Sequence, residues 1–302
     1  MKRIHTNVSK QSLVIALLGI TFFSGCISAR NAREETFSFI QMSDPQFGFF
    51  NENRSFEKET QNFTKAIQEA NRLRPSFVIV TGDLVNRPFD TAQVRAYRSI
   101  IGGIAPGIPL YSVAGNHDVG NTPSLENIMA YNKEFGPDFY SFTKGPMLGI
   151  VLNSLYLSAP NNVKEKALEQ ESWLIRVLDS ARQEWKRKQI MVFLHHPLFL
   201  ETPNEKDGYF NIPLLTRKRY LSIFKKYGIR YVFAGHYHRN AFGKGSGIHM
   251  ITTGPVGKPL GKDPSGFRIV TIKGKQVRHN YYDLNAVPDQ LDQIQERPYT
   301  EK

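Results

Sequence analysis

Metal-binding side chains recur in this chain directly after short apolar runs. Carboxylate, imidazole and amide groups stand together in five clusters, which are Ser43-Asp44-Pro45-Gln46, Thr81-Gly82-Asp83, Gly115-Asn116-His117-Asp118, His195-His196-Pro197 and Gly235-His236-Tyr237-His238. Five of the 8 histidines lie in these clusters. Such donors suit Mn, Fe or Zn, and two ions about 3.5–4 Å apart can clamp a phosphoryl group during in-line displacement. The clusters therefore predict a metal centre suited to phosphoryl chemistry.

The apolar runs before the clusters are typical of buried strands. They span residues 37–42, 77–80, 110–114, 190–194 and 231–234. Amphipathic helical patterns at 56–73, 170–185 and 220–227 alternate with them, which predicts a layered α/β fold. In an open α/β sheet the active site lies beyond the carboxyl ends of the strands. We therefore expect the five clusters to meet at one rim of the fold.

The alternation of predicted strands and helices ends after the last cluster. Strand candidates at 248–252, 267–272 and 277–283 follow one another without a helix between them, and Gly274 marks a hairpin turn. This part of the chain predicts a second, partly antiparallel sheet packed on the first.

The chain has 302 residues, a formal net charge of +12 and one cysteine. The length allows one large domain or two modest ones. A basic surface can attract nucleic acid, anionic lipid or a phosphorylated substrate. The sequence has no RNP-like motif, zinc-finger spacing or long Lys/Arg block, so we expect no nucleic-acid partner. A single cysteine excludes an intramolecular disulfide.

The N-terminal sequence predicts export and membrane anchoring. A basic start precedes an apolar stretch at 13–23, which is too short for a mature bilayer span but suits a signal-peptide core. The segment resembles a bacterial lipoprotein signal, so we expect residues 1–25 to be removed and Cys26 to carry a lipid that anchors the protein to a membrane of the cell envelope, facing the periplasm or exterior. A plain secretory signal or an uncleaved anchor is the alternative. Residues 26–35 then form a tether, and 286–302 a frayed polar tail.

The ordered clusters resemble the motif set of the calcineurin-like metallophosphoesterases, which is Asp-x-His, Gly-Asp, Gly-Asn-His-Asp/Glu, a His before a Pro, and Gly-His-x-His. Further segments, among them 152–154 and 209–211, look like one branch, the calcineurin-like phosphoesterase domain-containing proteins, whose animal member is described as a serine/threonine phosphatase. The resemblance implies an α/β fold of four layers, α-β-β-α, in which helices flank two mixed sheets across residues 36–285.

The resemblance also implies a centre of two metal ions, Mn, Fe or Zn, that share Asp83 as a bridging ligand. The other implied ligands are, for the first ion, Asp44, Gln46 and His238 and, for the second ion, Asn116, His195 and His236. Gln46 departs from the family pattern, which has His at this position. Its amide oxygen is a weaker donor than imidazole. Gln46 therefore either binds the first ion or donates a hydrogen bond beside it.

The same resemblance implies the catalytic groups. A hydroxide held by the two ions attacks phosphorus in line, while His117 contacts the phosphate and protonates the leaving oxygen, with Asp118 orienting its ring. Histidine suits general-acid work because its pKa lies near neutrality. Candidate contacts to phosphate or to the pocket, each with a purely structural role as the alternative, are Arg239, His196 and Asn86.

These residues predict an enzyme that hydrolyses phosphate esters, with a phosphorylated substrate and a membrane as its partners. We expect a phosphomonoesterase that resembles protein phosphatases. Two alternatives stay open: a phosphodiesterase acting on cyclic nucleotides or phospholipid head groups, and an inactive binding lipoprotein. Only Gln46 deviates from the metal-ligand pattern, which argues against the inactive alternative.

Overall fold

The computed structural model describes residues 36–184 and 189–291. The predicted signal peptide, Cys26 and the tether therefore lie outside the described residues, as does the end of the predicted tail. Within the described ranges, no helix combines the length and the apolar character needed to cross a membrane.

Strands and helices alternate along the described residues. The strands are β1 Phe37–Met42, β2 Val78–Val80, β3 Leu110–Ser112, β4 Tyr140–Lys144, β5 Met147–Val151, β6 Gln189–Phe193, β7 Tyr231–Ala234, β8 Ala241–Gly245, β9 Ile248–Thr252, β10 Gly266–Lys273 and β11 Gln276–Asp283. The α-helices are α1 Glu57–Leu73, α2 Thr91–Ile101, α3 Asn116–Val119, α4 Leu125–Phe135, α5 Leu155–Ser158, α6 Lys164–Glu184 and α7 Leu214–Lys226. The three amphipathic patterns of the sequence correspond to α1, α6 and α7.

The strands form two mixed sheets. The first has the order β11-β10-β1-β2-β3, and the second has the order β4-β5-β6-β7-β9-β8. In the first sheet β1, β2 and β3 are parallel, and β10 and β11 are antiparallel to their neighbours. In the second sheet β5, β6, β7 and β9 are parallel, with β4 and β8 as antiparallel edges. Of the five strands that precede the clusters, β1, β2, β6 and β7 lie inside their sheets, and β3 is an edge strand of the first sheet.

Helices cover the outer face of each sheet. On the first sheet, Phe63 of α1 and Tyr97 of α2 share a hydrophobic core with Val78. On the second sheet, Leu174 of α6 and Phe224 of α7 belong to a separate core. The layers are thus α-β-β-α, as predicted.

Aromatic side chains join the two sheets. Phe39 of β1 stacks on Phe77 just before β2, with ring centroids 4.6 Å apart. The same ring meets Phe193 of β6 and Phe233 of β7 edge to face, at 5.8 and 5.6 Å. Each fully buried Phe contributes about 1.5–3 kcal/mol to stability. This packing brings the carboxyl ends of strands from both sheets to a common rim.

The hairpin of β10 and β11 differs from the prediction. Both strands were expected in the second sheet, but β10 pairs with β1, with Phe39 opposite Val270. Alternate residues of β10 enter different cores: Phe267 and Ile269 face the helices, whereas Val270 and Ile272 lie between the sheets. A strand with two apolar faces needs cover on both sides, and the place beside β1 provides it.

The start of the predicted polar tail is packed against α1. The guanidinium of Arg72 donates to the carbonyls of Pro288 (2.9 Å) and Asp289 (3.1 Å). Val287 and Leu291 lie against the core of the first sheet. The expectation of a frayed chain is therefore wrong as far as Leu291.

Candidate dinuclear metal site

The predicted clusters lie in the loops that follow the carboxyl ends of β1, β2, β3, β6 and β7. Main-chain hydrogen bonds tie the first two loops together: the Asp44 N–H donates to the Gly82 carbonyl (3.1 Å), and the Gln46 N–H to the Asp83 carbonyl (2.9 Å). The positions of these two loops are therefore fixed by main-chain hydrogen bonds between them and not by the side chains alone.

Two groups of side chains converge at this rim. The first cluster is Asp44, Asp83 and His238, and the second cluster is Asp83, His195 and His236; in each, one ligand atom per residue lies within 4.8 Å of the others. Asp83 belongs to both clusters, as a bridging carboxylate must. All five side chains are at most 5% exposed, so charges here interact with little screening by water.

His195 faces oxygen atoms that can only accept. Its Nδ1 lies 2.8 Å from the Thr81 carbonyl, so this nitrogen carries a hydrogen. Its Nε2 lies 3.0 Å from Oδ1 of Asn116 and 3.3 Å from Oδ2 of Asp83. A nitrogen lone pair, an amide oxygen and a carboxylate converging in this way form a donor set for one cation.

Main-chain carbonyls also orient the other two imidazoles. Nε2 of His236 lies 3.0 Å from the Tyr209 carbonyl, and Nδ1 of His238 lies 2.6 Å from the Lys258 carbonyl. Because a carbonyl only accepts, the bonded nitrogen carries the hydrogen and the opposite nitrogen keeps its lone pair. For His238 that nitrogen, Nε2, lies 3.5 Å from Oδ1 of Asp44. Both rings are thus set to bind a metal.

Gln46 supplies the test of whether these residues fit two ions. Its Nε2 donates to Oδ1 of Asn86 (3.1 Å). Its carbonyl oxygen, Oε1, is buried and has no hydrogen-bond partner. Leaving such an acceptor unsatisfied costs about 1–3 kcal/mol, and a cation bound beside it would satisfy it. This observation favours Gln46 as a ligand over the alternative of a hydrogen-bond donor alone, and the donors present fit the implied pair of ions.

The ligand loops hold an uncommon backbone conformation. Positive φ angles, between 41° and 67°, occur at Asp44, Gln46, Asp83, His236 and His238. This left-handed region is disfavoured for residues with a Cβ. Five occurrences at predicted ligands show that the backbone is shaped to turn these side chains inward.

Two glycines allow the loops to approach closely. Gly82 has a φ of +88°, and a Cβ there would collide with the ring of His195. A Cβ at Gly235 would collide with the Ser43 hydroxyl and lie 2.7 Å from Oδ2 of Asp44. Only glycine lets a ligand ring and a ligand carboxylate reach these positions.

The electrostatics of the second cluster favour a cation. Burial lowers the pKa of His195, but the charges of Asp83 and Asp44 outweigh this and raise the pKa to about 9. Burial lowers the pKa of His236 to about 3, and the charge of His195 adds to the effect. In the metal-free chain a proton on His195 therefore takes the place of a cation beside Asp83.

His117 stands beside the shared ligand without belonging to either cluster. Its main-chain N–H donates to Oδ1 of Asp83 (2.8 Å). Its ring is half-buried, and Nδ1 lies 2.8 Å from the Asn86 carbonyl. This contact places the hydrogen on Nδ1 and makes Nε2 the nitrogen that can carry an exchangeable proton.

Asp118 has a different role from the predicted one. Its Oδ1 accepts from the N–H groups of Leu84 (2.9 Å) and Val85 (3.1 Å), and its Oδ2 accepts from Gly115 (2.8 Å). These bonds join the loop after β2 to the loop after β3. The prediction that Asp118 orients the general-acid histidine is therefore wrong, because the Asn86 carbonyl makes that contact.

Comparison with known proteins gives the family. The calcineurin-like phosphoesterase profile matches residues 37–240. The chain belongs to the calcineurin-like phosphoesterase family. Serine/threonine-protein phosphatase CPPED1 of Danio rerio is 36% identical over 268 residues, which cover 84% of this chain and 86% of that protein. The Homo sapiens protein of the same name is 36% identical over 269 residues, with 84% and 85% covered.

Solved structures share the fold of this phosphoesterase at low identity. A dimetal phosphatase from Danio rerio has a TM-score of 0.61 at 16% identity, covering 82% of this chain and 96% of that chain. GAP50, described as the anchor in the inner membrane complex of Plasmodium, has a TM-score of 0.59 at 16% identity, covering 82% and 85%. These likenesses show the fold alone. With the family and the metal clusters, the chain is a calcineurin-like dimetal phosphoesterase, a hydrolase of phosphoric esters with phosphatase-like activity.

One predicted substrate contact of the phosphoesterase is already occupied. The side-chain amide of Asn86 accepts from Gln46 (3.1 Å) and donates to Asn53 (2.8 Å). Both ends of the amide are therefore bonded to neighbouring amides. Asn86 acts through its carbonyl and its amide on other site residues, and the prediction that its side chain binds phosphate is not supported.

The other two predicted contacts lie at different depths. His196 is buried, with Nδ1 2.8 Å from the Ser154 hydroxyl and its ring 4.1 Å from the ring of His236. It packs behind a ligand, as its structural alternative predicted. Arg239 is half-buried, with its guanidinium 5.0 Å over the ring of Tyr237. Its guanidinium donates to the Leu260 carbonyl (3.0 Å) and to the Tyr237 hydroxyl (3.2 Å), and its contact with phosphate stays a prediction.

Two aromatic residues beside the metal clusters were missed as site residues. The carbonyl of Tyr209 holds His236, its hydroxyl lies 3.5 Å from Nδ2 of Asn116, and the residue is 60% exposed. The ring of Phe49 lies 5.1 Å from the ring of His238. Neither has a spacing that marks it as functional. The only signal for Tyr209 was its place in a segment similar to the narrower branch.

Proposed function

We propose that this phosphoesterase hydrolyses phosphomonoesters, and that phosphoserine and phosphothreonine side chains are its first candidate substrates. The observation that carries the proposal is Asp83, whose carboxylate belongs to both clusters and also accepts from the N–H of His117 (2.8 Å). A general-acid candidate is thereby held directly beside the shared ligand. The relatives named as serine/threonine-protein phosphatases support the substrate class.

Bound at the two clusters, a pair of ions would neutralise phosphate oxygens and supply a nucleophile at neutral pH. His117 donates a proton from Nε2 to the leaving oxygen, since its Nδ1 is held by the Asn86 carbonyl. Proton donation by a positioned side chain accelerates such reactions by about 10²–10⁴-fold. Arg239 at the rim binds a phosphate oxygen through its planar guanidinium, and Tyr209 forms the exposed wall of the site.

For the ions we propose Mn, Fe or Zn. The donors are imidazole nitrogens, carboxylates and the amide oxygens of Gln46 and Asn116, a set that suits borderline transition metals better than Ca or Mg. Elemental analysis of the protein purified without added metal tests this. The expected result is two ions per chain drawn from these three elements.

We further propose that the enzyme is exported and anchored in the cell envelope through a lipid on Cys26. The support is the basic start, the apolar stretch at 13–23 and the position of the single cysteine. Three of the basic residues, Lys2, Arg3 and Lys10, would leave with the leader, so the formal net charge would fall from +12 to +9 and the anchored chain would be attracted to anionic lipid. Mass spectrometry of the mature N-terminus tests the proposal: a lipidated Cys26 supports it, whereas an unmodified N-terminus or an intact leader contradicts it.

The substrate proposal is tested with matched esters. The purified chain, loaded with Mn, is assayed on 4-nitrophenyl phosphate, bis(4-nitrophenyl) phosphate and a phosphoserine peptide. We expect kcat/KM to be larger for the two monoesters. A larger kcat/KM for the diester would favour the phosphodiesterase alternative, and no hydrolysis by protein that holds two ions would favour the inactive one.

A further inference from the structure

A chain of four side-chain amides leads from helix α2 to the first cluster. Its members, in order, are Gln93, Asn53, Asn86 and Gln46. We propose that Gln93 and Asn53 are positioning residues, which orient the amide of Gln46 so that its carbonyl oxygen is offered to the first metal ion. The inference rests on the dinuclear centre of the proposed function. The two proposed positioning residues, Gln93 and Asn53, lie outside the five sequence clusters.

The polarity of the amide chain is fixed at its α2 end. The main-chain N–H groups of Asn86 and Arg87 both donate to Oε1 of Gln93, each at 3.0 Å. A main-chain N–H can only donate, so this atom is the carbonyl oxygen of Gln93. The residue is 1% exposed, and reversing its amide would set two buried N–H groups against an NH₂ group. Gln93 therefore has one stable orientation.

The orientation of each amide fixes which atom of the next amide donates and which accepts. Nε2 of Gln93 donates to Oδ1 of Asn53 (2.9 Å), and Nδ2 of Asn86 donates to the same oxygen (2.8 Å). Oδ1 of Asn86 is thereby turned toward Gln46 and accepts from its Nε2 (3.1 Å). What remains is the carbonyl oxygen of Gln46, buried and without a hydrogen-bond partner. The unsatisfied acceptor beside the first cluster is thus the end of an ordered chain.

Packing alone would not choose this orientation. An amide keeps nearly the same shape when it is rotated by 180° about its last bond. In Gln46 that rotation would present an NH₂ group to the cation in place of an oxygen. The backbone of Gly48 packs directly against the amides of Asn53 and Gln93: a Cβ at Gly48 would lie 2.7 Å from Oδ1 of Asn53 and 2.8 Å from Nε2 of Gln93. This packing limits where the amides lie but does not distinguish their oxygen from their nitrogen. Hydrogen-bond polarity is therefore what distinguishes the two orientations.

The first variant removes the donor at the start of the amide chain. In Gln93→Glu the carboxylate still accepts from both main-chain N–H groups, but it faces the Asn53 oxygen without a hydrogen between them. Reversal of Asn53 relieves this, and Asn86 and Gln46 must then reverse in turn. We expect one of two Mn²⁺ ions to bind about 10- to 100-fold more weakly, the range for groups that orient a metal ligand. Isothermal titration calorimetry on the full chain counts the ions and gives each Kd.

The decisive variant is Gln46→Glu, alone and combined with Gln93→Glu. A glutamate at 46 has only acceptor oxygens. It is repelled by Oδ1 of Asn86, the atom that faces residue 46 in the wild-type chain. When the Asn86 amide is rotated by 180°, its Nδ2 faces residue 46 and donates to the glutamate. Gln93→Glu should therefore weaken the affected ion when residue 46 is Gln and strengthen it when residue 46 is Glu. This change of sign does not depend on how well a carboxylate binds Mn²⁺.

Two further variants show whether a change in Mn²⁺ binding comes from the orientation of the amides or from a disturbed fold. Asn53→Asp keeps the acceptor that both neighbours need, so both ions should bind within about threefold of wild type, well inside the loss that a misoriented ligand causes. Gln170→Glu is the matched control: Gln170 is fully buried and its Oε1 accepts a main-chain N–H at 2.7 Å, but it contacts Asn153, not the amide chain. Thermal unfolding of each variant shows that it folds.

The outcomes keep this inference apart from the proposed function. The proposed role of the amide chain is overturned if Gln93→Glu changes the Kd of the affected ion in the same direction in the wild-type and Gln46→Glu chains, or changes it in neither. The dinuclear centre is still supported in that case if the wild-type chain binds two ions. A wild-type chain that binds no Mn²⁺ overturns the proposed function itself. Opposite signs in the two backgrounds, with Gln170→Glu like wild type, support the inference.

Discussion

The two ion sites are held in different ways. In the second cluster both imidazoles are oriented by main-chain carbonyls, His195 by Thr81 (2.8 Å) and His236 by Tyr209 (3.0 Å). In the first cluster one imidazole has such support, but the Gln46 amide is oriented by other side chains alone. A carbonyl in a sheet or a bonded loop cannot exchange donor for acceptor, whereas an amide can. The second site also has an amide, Asn116, but its Nδ2 faces a single hydroxyl, that of Tyr209, at 3.5 Å. The amide chain therefore makes the first site the one whose affinity a substitution as distant as Gln93 can change.

The largest effect should come from the group that the two sites share. Asp83→Asn removes the charge common to both clusters, so both ions should be lost together. Since such ions supply several kcal/mol of transition-state stabilisation, hydrolysis of 4-nitrophenyl phosphate should fall by at least about 10³-fold. Elemental analysis after dialysis checks the ion count. One ion retained at full occupancy would show that the sites are more independent than the shared carboxylate suggests.

A residue that belongs to neither site should separate catalysis from metal binding. His117→Ala should lower kcat by about 10²–10⁴-fold, because the leaving oxygen loses its proton donor, while both ions remain. His249→Ala is the matched control, since that partly buried ring packs on Tyr231 at 5.0 Å, away from both clusters. Activity and metal content are measured on the same samples. Loss of metal in His117→Ala would remove the evidence for a general acid.

The two sites should also differ in their pH dependence. Because the pKa of His195 is raised to about 9 in the metal-free chain, the second ion must displace a proton, and its affinity should rise about tenfold per pH unit up to that value. The first ion should show a shallower slope between pH 7 and 9. Calorimetry in buffers of different ionisation enthalpy measures the protons released. Equal slopes for the two ions would contradict the assignment.

The same shift affects the stability of the metal-free chain. A pKa raised from 6.5 to about 9 means that the folded state binds the proton more tightly than the unfolded state. The stabilisation is fully present below pH 6.5 and is lost as the pH rises through about 9. Thermal unfolding of chelated protein at both ends of this range should show the loss, and saturation with Mn²⁺ should remove it.

The smallest predicted effect is a gain at the weaker site. Gln46→His replaces an amide oxygen by imidazole, a better donor for these metals, and its second nitrogen can still donate to Oδ1 of Asn86. We expect the first ion to bind up to about tenfold more tightly. Changes in the groups around a metal ligand typically alter metal affinity by about 10- to 100-fold. Calorimetry with Mn²⁺ and Zn²⁺ measures this. Weaker binding would show that the native geometry is built specifically for the amide.

The sequence predicts the ligands of both sites well because they follow strands. A buried strand has an apolar signature, and the carboxyl ends of parallel strands meet at one edge of a sheet. Asp44, Asp83, His195 and His236 could therefore be placed together before any coordinates were known. The shared role of Asp83, which came only from resemblance, agrees with its presence in both clusters.

The parts that orient the ligands could not be predicted in this way. The carbonyls of Thr81, Tyr209 and Lys258 belong to the main chain, and every residue has one. The role of Asp118 was misassigned because it rested on the family resemblance alone, whereas the helical turn of α3 directs its carboxylate to main-chain N–H groups. The amide chain joins residues 40 positions apart, and no local pattern marks it.

The left-handed backbone at five ligand positions has a consequence for the protein without its ions. Each such residue costs about 1–3 kcal/mol, a cost that metal coordination offsets when the site is filled. After chelation the rim loops should open locally and exchange their amide hydrogens quickly, while the strands beneath them stay protected. The same protein would then be a rigid hydrolase in the presence of its cations and a stable scaffold with a loosened rim in their absence.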